Sequence, residues 1–192
     1  MMGDQKSSVA HLRGARSLFW RALAVVIAAP LLVVSSADLA PCAGRNGQDA
    51  RSLYTKAASR AGVPLDVLVA IVGAESGYHP WALNIKGHQV FCHTRAEAER
   101  VLGNCPTDDV DIGLMQINWK FWGARIGIDK LQLLDPARNL EYGAQILREG
   151  LDRGGSIWHR ISNYHSGNLH ERDRYNQMVY RAYLRYKRGQ VH

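Results

Sequence analysis

Val67-Leu68-Val69-Ala70-Ile71-Val72-Gly73-Ala74 is apolar throughout, and the run breaks at Glu75-Ser76-Gly77. A stretch apolar on every side predicts a helix buried in a core. Pro64 opens it, at a position where a missing N–H costs nothing. Ahead of it, Leu53, Ala57 and Ala58 mark one side of an amphipathic helix over Asp49–Ala61, stopped by Gly62. From Tyr78 to Asp111 no period holds. Pro80, Gly87 and Pro106 break the stretch, with one short helix, Arg95–Leu102, capped by Thr94. Gly113–Asn118 reads as a short segment and Trp119–Trp122 as a helical turn. Asp135-Pro136 signals a helix start, and Leu140, Ala144 and Leu147 set its inward face. Gly154-Gly155 ends that helix, and Ser156 caps another through Tyr164. In the last helix, Arg172–Arg188, Tyr175, Met178, Val179, Ala182, Tyr183 and Tyr186 recur at helical spacing. No strand-like alternation of useful length and no repeat is present. The pattern predicts an all-α (mainly α) single domain of several short helices with a long irregular insertion, which such domains usually tie down or use.

The chain has 192 residues, 46% of them hydrophobic, enough for one core. Lys6, Arg13, Arg16 and Arg21, the uncharged Ala22–Val34 and the small Ser35-Ser36-Ala37 have the layout of a secretory signal peptide. The apolar part is shorter than the ~20 residues of a spanning helix. The expectation is a leader over 1–37, cleaved after Ala37, and a periplasmic domain over 38–192 that meets the membrane only through an uncleaved leader. Without the leader, 20 basic residues face 16 acidic ones. This mild excess suits a polyanionic envelope polymer. No dense basic stripe precedes Arg181–Arg188, so nucleic acid is not an expected partner, and a DNA-binding role would rest on charge alone. Cys92 and Cys105 lie close together in a polar segment, and an exported protein meets oxidising conditions. A disulfide between them is the default. A metal site using His79, His88 or His93 lacks paired-ligand spacing, so no metal is expected, and Cys42 has no evident partner.

Glu75 carries the chemistry. A carboxyl at the mouth of an apolar helix loses solvation, which favours the neutral acid, and a protonated glutamic acid near neutral pH can give a proton to a leaving group. The plainer alternative is a buried ion pair with one of the arginines.

Four motifs stand in order: Ala74-Glu75-Ser76-Gly77, Gly113-Leu114-Met115-Gln116-Ile117-Asn118, Asn139-Leu140-Glu141-Tyr142-Gly143-Ala144 and Asn163-Tyr164-His165-Ser166-Gly167-Asn168. Tyr175 with Val179 makes a fifth. Together they resemble the lytic transglycosylases of the lysozyme-like superfamily, from about Leu53 to Tyr183. His165 and Ser166 depart from the usual Tyr-Asn-Ala-Gly. The cysteine-bearing insertion and Tyr164-His165-Ser166-Gly167-Asn168 resemble the specialised members that serve conjugation and type IV secretion machines.

The resemblance implies a lysozyme-like fold, peptidoglycan glycan strands as substrate, no cofactor, and secretion or conjugation machinery as a partner. Most glycosidases use two carboxylates. This family uses one: the substrate's N-acetyl group attacks the anomeric carbon, and the C6 hydroxyl then closes a 1,6-anhydro ring. Glu75 would be acid, then base. Among substrate-site residues, Tyr164 would hold the Glu75 carboxyl or the N-acetyl group, Gln116 would bond sugar amides and Met115 would form an apolar wall. Ser76 would cap or orient the backbone beside the acid, and Tyr175 would support Glu75. Asn139 reads as structural, Glu141 as a supporting acid or a surface charge, and Trp119, Trp122 and Trp158 as core or sugar-stacking residues. Asp109 or Asp111 could instead position a water, making a lysozyme-type hydrolase. A murein-binding assembly factor is a further alternative.

Overall fold

The computed structural model describes residues 46–152, 161 and 169–190. The leader, Cys42, the Gly154-Gly155 break, Trp158, Tyr164 and, apart from Ile161, the helix expected from Ser156 to Tyr164 lie outside the described residues. In chain order come helices α1 (Asn46–Ala61) and α2 (Leu65–Glu75), strands β1 (Ala82–Ile85) and β2 (His88–Phe91), and helix α3 (Arg95–Gly103). Strands β3 (Val110–Ile112) and β4 (Ile117–Asn118) follow, then helix α4 (Trp119–Ile126), a 3-10 helix (Lys130–Leu134), α5 (Pro136–Leu151) and α6 (Leu169–Lys187). The architecture is mainly α with one small antiparallel sheet.

The apolar run behaves as its composition requires. Val67 to Val72 are all buried in α2, at the centre of a core that takes in Ala57 and Ala58 of α1, Leu140, Ala144 and Leu147 of α5, and Tyr175, Val179 and Ala182 of α6. Pro64 stands just before the first turn as the cap residue. Thr94 accepts from the Glu97 amide to start α3, and Asp135 accepts from Arg138 with Pro136 behind it to start α5. The turn expected at Trp119 continues to Ile126, where Gly127 closes it at φ +69°.

The insertion is not irregular. It holds β1, β2 and the start of β3, which with β4 from the following Gly113–Asn118 segment make a sheet in the order β2-β1-β3-β4, all antiparallel. Strands of two to four residues are too short to display a period, and β3 is buried at all three positions although its centre is Asp111. The expected disulfide is also absent: Cys92 and Cys105 are both free. Cys92 is 1% exposed, inserted into the core as a small apolar residue whose thiol pKa is raised by burial. Cys105 donates instead to the Thr107 carbonyl at 3.3 Å. The insertion is tied down by sheet pairing and by the core side chains Ala98 and Leu102 of α3.

Candidate active site

Glu75 is the last residue of α2, where the buried helix meets solvent. Its carboxyl pKa is pushed from the ordinary 4.5 up to about 7, chiefly because burial penalises the charged form. Tyr175, reaching across from α6, donates its hydroxyl to Glu75 Oε1 at 2.6 Å and opposes that rise. The charge of Asp111 on β3 adds to it. Glu75 therefore sits where α2, α6 and the sheet converge, with no arginine as its hydrogen-bond partner among the described residues.

Ser76, 3% exposed, turns its hydroxyl back onto the Val72 carbonyl at 3.2 Å, and its amide bonds the same oxygen at 3.1 Å. Both groups serve the helix end, and Gly77 then leaves it at φ +60°. Ser76 thus fixes the direction in which Glu75 emerges, with its hydroxyl proton directed to its own helix.

The turn Gly113–Gln116 is held from outside itself. Asn139, fully buried at the start of α5, accepts from the Met115 amide at 2.8 Å and donates to the carbonyls of Ile112 at 2.8 Å and Leu133 at 3.0 Å. Gly113 has φ +77°, and a Cβ there would collide with the Asn139 side-chain nitrogen. Met115 is 2% exposed and lies against Gly143 of α5, where a Cβ would come within 2.5 Å of its Cγ. Met115 is thus an inner support of the turn. Gln116 stays partly exposed with the unusual φ of +45°, and its amide nitrogen donates to Gly113 at 2.9 Å and Ala82 at 3.2 Å. Those bonds join the turn to β1 and leave the amide oxygen of Gln116 available.

Asp111 is 9% exposed and its pKa is pushed up to about 6, first by burial and then by Asp109, against the hydrogen bond from Asn118. The Asn118 amide donates to Asp111 at 2.9 Å and to Asp109 at 3.2 Å. Glu141 lies away from this cluster in an exposed ion pair with Arg60 at 3.3 Å. Trp122 is engaged by the Arg125 guanidinium, 4.6 Å from its ring.

A family model described as the transglycosylase SLT domain matches residues 52–183. The chain belongs to this SLT family. It is similar to Protein IpgF of Shigella sonnei and to Protein IpgF of Shigella flexneri, each 28% identical over 140 residues that cover 69% of this chain and 79% of the relative. No solved structure gives a significant match. Within the SLT domain, the described residues bring Glu75, Tyr175 and Asp111 together around one carboxyl, while Ser76, Met115 and Asn139 are committed to holding backbone. Sequence reasoning passed over two groups on the sheet. Asn118 bridges the two aspartates, and Asn84, 1% exposed on β1, has neither amide atom hydrogen-bonded. An asparagine between Leu83 and Ile85 was the available signal.

Tyr175→Phe removes a hydrogen bond that favours the Glu75 carboxylate. In this SLT domain the Glu75 pKa should rise further, which a carboxyl titration by NMR against wild type would detect. An unchanged or lower value would contradict the pairing.

Proposed function

We propose that this SLT domain is a murein lytic transglycosylase that cuts the β-1,4 MurNAc-GlcNAc bond of peptidoglycan and leaves a 1,6-anhydro end. The observation that carries this reading is Glu75 itself, an acid held near half-protonation at neutral pH by burial, with the Tyr175 hydroxyl on it at 2.6 Å. The protonated carboxyl gives its proton to the departing glycosidic oxygen. The substrate's acetamido oxygen attacks the anomeric carbon as that bond breaks. The C6 hydroxyl then attacks the same carbon, displaces the acetamido oxygen, and returns a proton to the Glu75 carboxylate. A pKa near the working pH suits a group that must donate and then accept. The Gln116 amide oxygen and Tyr164 are the groups assigned to the sugar amides.

Export by the 1–37 leader, a periplasmic location and local opening of the wall for a secretion or conjugation machine complete the reading. They rest on the leader's charge and hydropathy pattern and on the resemblance to specialised transglycosylases. The test is digestion of purified murein sacculi by the 38–192 protein, with mass spectrometry of the released muropeptides. Anhydro ends that depend on Glu75 support the reading; their absence overturns it.

Asp111 favours a second reading, hydrolysis of the same bond, because its carboxylate is close enough for Glu75 to feel it. The two readings part at Asp111→Asn. With a sole acid and base at Glu75, cleavage and anhydro ends persist, and the loss of a nearby negative charge shifts the Glu75 pKa and the activity profile to lower pH. If products carry reducing ends and cleavage collapses in Asp111→Asn, the enzyme is a hydrolase.

A further inference from the structure

Gly73 interrupts the side chains of α2 two residues before Glu75. Glycine inside a helix is destabilising relative to alanine, so its place there calls for a reason. A Cβ added at Gly73 would collide with the Tyr78 hydroxyl oxygen and with the ring carbon that bears it. The Tyr78 ring therefore lies in the gap that Gly73 leaves. Tyr78 reaches that gap by an unfavoured route. Gly77 at φ +60° and Tyr78 at φ +69° both take the left-handed conformation, which is ordinary for glycine and rare for a bulky aromatic residue. The pair turns the chain back onto the helix it has just left.

Strained residues persist where their surroundings over-determine them, and they cluster at functional sites. Tyr78 packs against the core, and it is close enough to Arg185 of α6 and Tyr54 of α1 for their charges to be felt. Its hydroxyl oxygen is buried without a hydrogen-bond partner among the described residues. The shape of the ring, and not a bond to its oxygen, keeps it seated. Between the two ends of this contact stands Glu75. Backbone bonds run from the Ser76 amide to the Val72 carbonyl and from the His79 amide to the Ser76 carbonyl, each at 3.1 Å. The Tyr78 ring on Gly73 closes the same loop by side-chain packing.

We propose that Tyr78 is a positioning residue for Glu75: its ring, seated on Gly73, clamps the loop from Gly73 to Tyr78 and holds the carboxyl in its buried place against Tyr175. This role rests on the glycan-cleaving reading of Glu75 and adds the group that sets where the acid stands. Tyr78 acts through Glu75 and moves no proton itself. The titratable and charged groups around the loop are Tyr175 of α6 and Asp111 of β3 at Glu75, with Arg185 of α6 and Tyr54 of α1 at Tyr78. Opening the clamp leaves those groups in the chain and lets water reach the carboxyl, which favours its charged form and lowers its pKa toward the ordinary 4.5.

The clamp is tested by NMR titration of the Glu75 carboxyl together with the pH profile of sacculus digestion. Tyr78→Ala removes the ring, and Gly73→Ala puts a methyl where the ring lies. Each should move the titration, and the high-pH limb of digestion with it, roughly one pH unit lower. Alanine is the better helix former, so Gly73→Ala keeps α2 intact and decides the matter if Tyr78→Ala does not fold. Tyr78→Phe keeps the ring and should hold the wild-type titration. Adding Gly73→Ala to Tyr78→Ala should shift nothing further, because both act through one contact. A merely structural role would lower the urea midpoint and leave the Glu75 titration unmoved in Gly73→Ala and Tyr78→Ala. That result overturns the clamp, as does a shift in Tyr78→Phe equal to that in Tyr78→Ala. The titration reads the carboxyl whether or not murein is cut. An unmoved titration with Glu75-dependent cleavage rejects the clamp alone, whereas cleavage that does not need Glu75 rejects the reading beneath it.

Discussion

Glu75→Gln is expected to cut murein cleavage by at least about a thousandfold, within the range that positioned general acids supply. Glutamine keeps the shape of the protonated acid and can still accept from the Tyr175 hydroxyl, but it has no proton to give. The substitution should leave the fold intact and alter its response to pH. Because the Glu75 pKa is raised from 4.5 to about 7 in the folded protein, the folded state holds this proton more tightly than the unfolded chain. The stability linked to the proton is complete below about pH 4.5 and is lost as pH rises through about 7. Wild type should therefore lose a few kcal/mol relative to Glu75→Gln over that interval. Cleavage by wild type should fall over the upper part of the same range, as the acid loses its proton. Urea denaturation of both proteins at pH 5 and pH 8, with sacculus digestion across the range, measures both effects. A variant that still cleaves, or a stability difference that does not widen with pH, would show that the buried acid is not what its surroundings indicate.

Asn139→Leu carries the second large effect. The side chain is fully buried and makes three hydrogen bonds to backbone, at Ile112, Met115 and Leu133. Leucine fills similar volume and leaves two carbonyls and one N–H without partners in the core. At about 1–3 kcal/mol for each unmet group, the loss should reach at least roughly 3 kcal/mol, a large share of the 5–15 kcal/mol that holds a typical domain together. The Gly113–Gln116 turn should loosen first, so cleavage should fall even in protein that remains folded. Urea denaturation gives the loss directly, and a change under about 1 kcal/mol would mean that the turn finds other partners.

The helices were legible because each is marked by more than one signal. α2 has its unbroken apolar run, α3 its Thr94 cap, α5 its Asp135-Pro136 start, and α6 the spacing of Tyr175, Val179 and Ala182. Glu75 was legible for the same reason, since a lone carboxyl closing an apolar helix has a definite electrostatic consequence. The sheet was not. β4 has two residues and β3 three, and β3 pairs with β1 across 25 to 29 positions and with β4 across 5 to 7, set by contacts that no local pattern encodes. The polar residues Asn84 and Asp111 also sit inside, where composition places them in loops. Cys92 and Cys105 misled through proximity in sequence, because the first thiol points into the core and the second turns to Thr107. Ser76 reads from the sequence as a residue that caps or orients the backbone beside the acid, and its hydroxyl bonds the Val72 carbonyl of its own helix.

The position of Glu75 at the end of α2, and not at its start, has an electrical meaning of its own. Aligned peptide dipoles leave the C-terminal end of a helix partially negative. The acid thus stands in a field made by the main chain, of the same sign as Asp111, which no side-chain replacement can delete. Substituting the neighbouring acids would retune the proton held there and would leave in place both this field and the burial that chiefly raises the pKa.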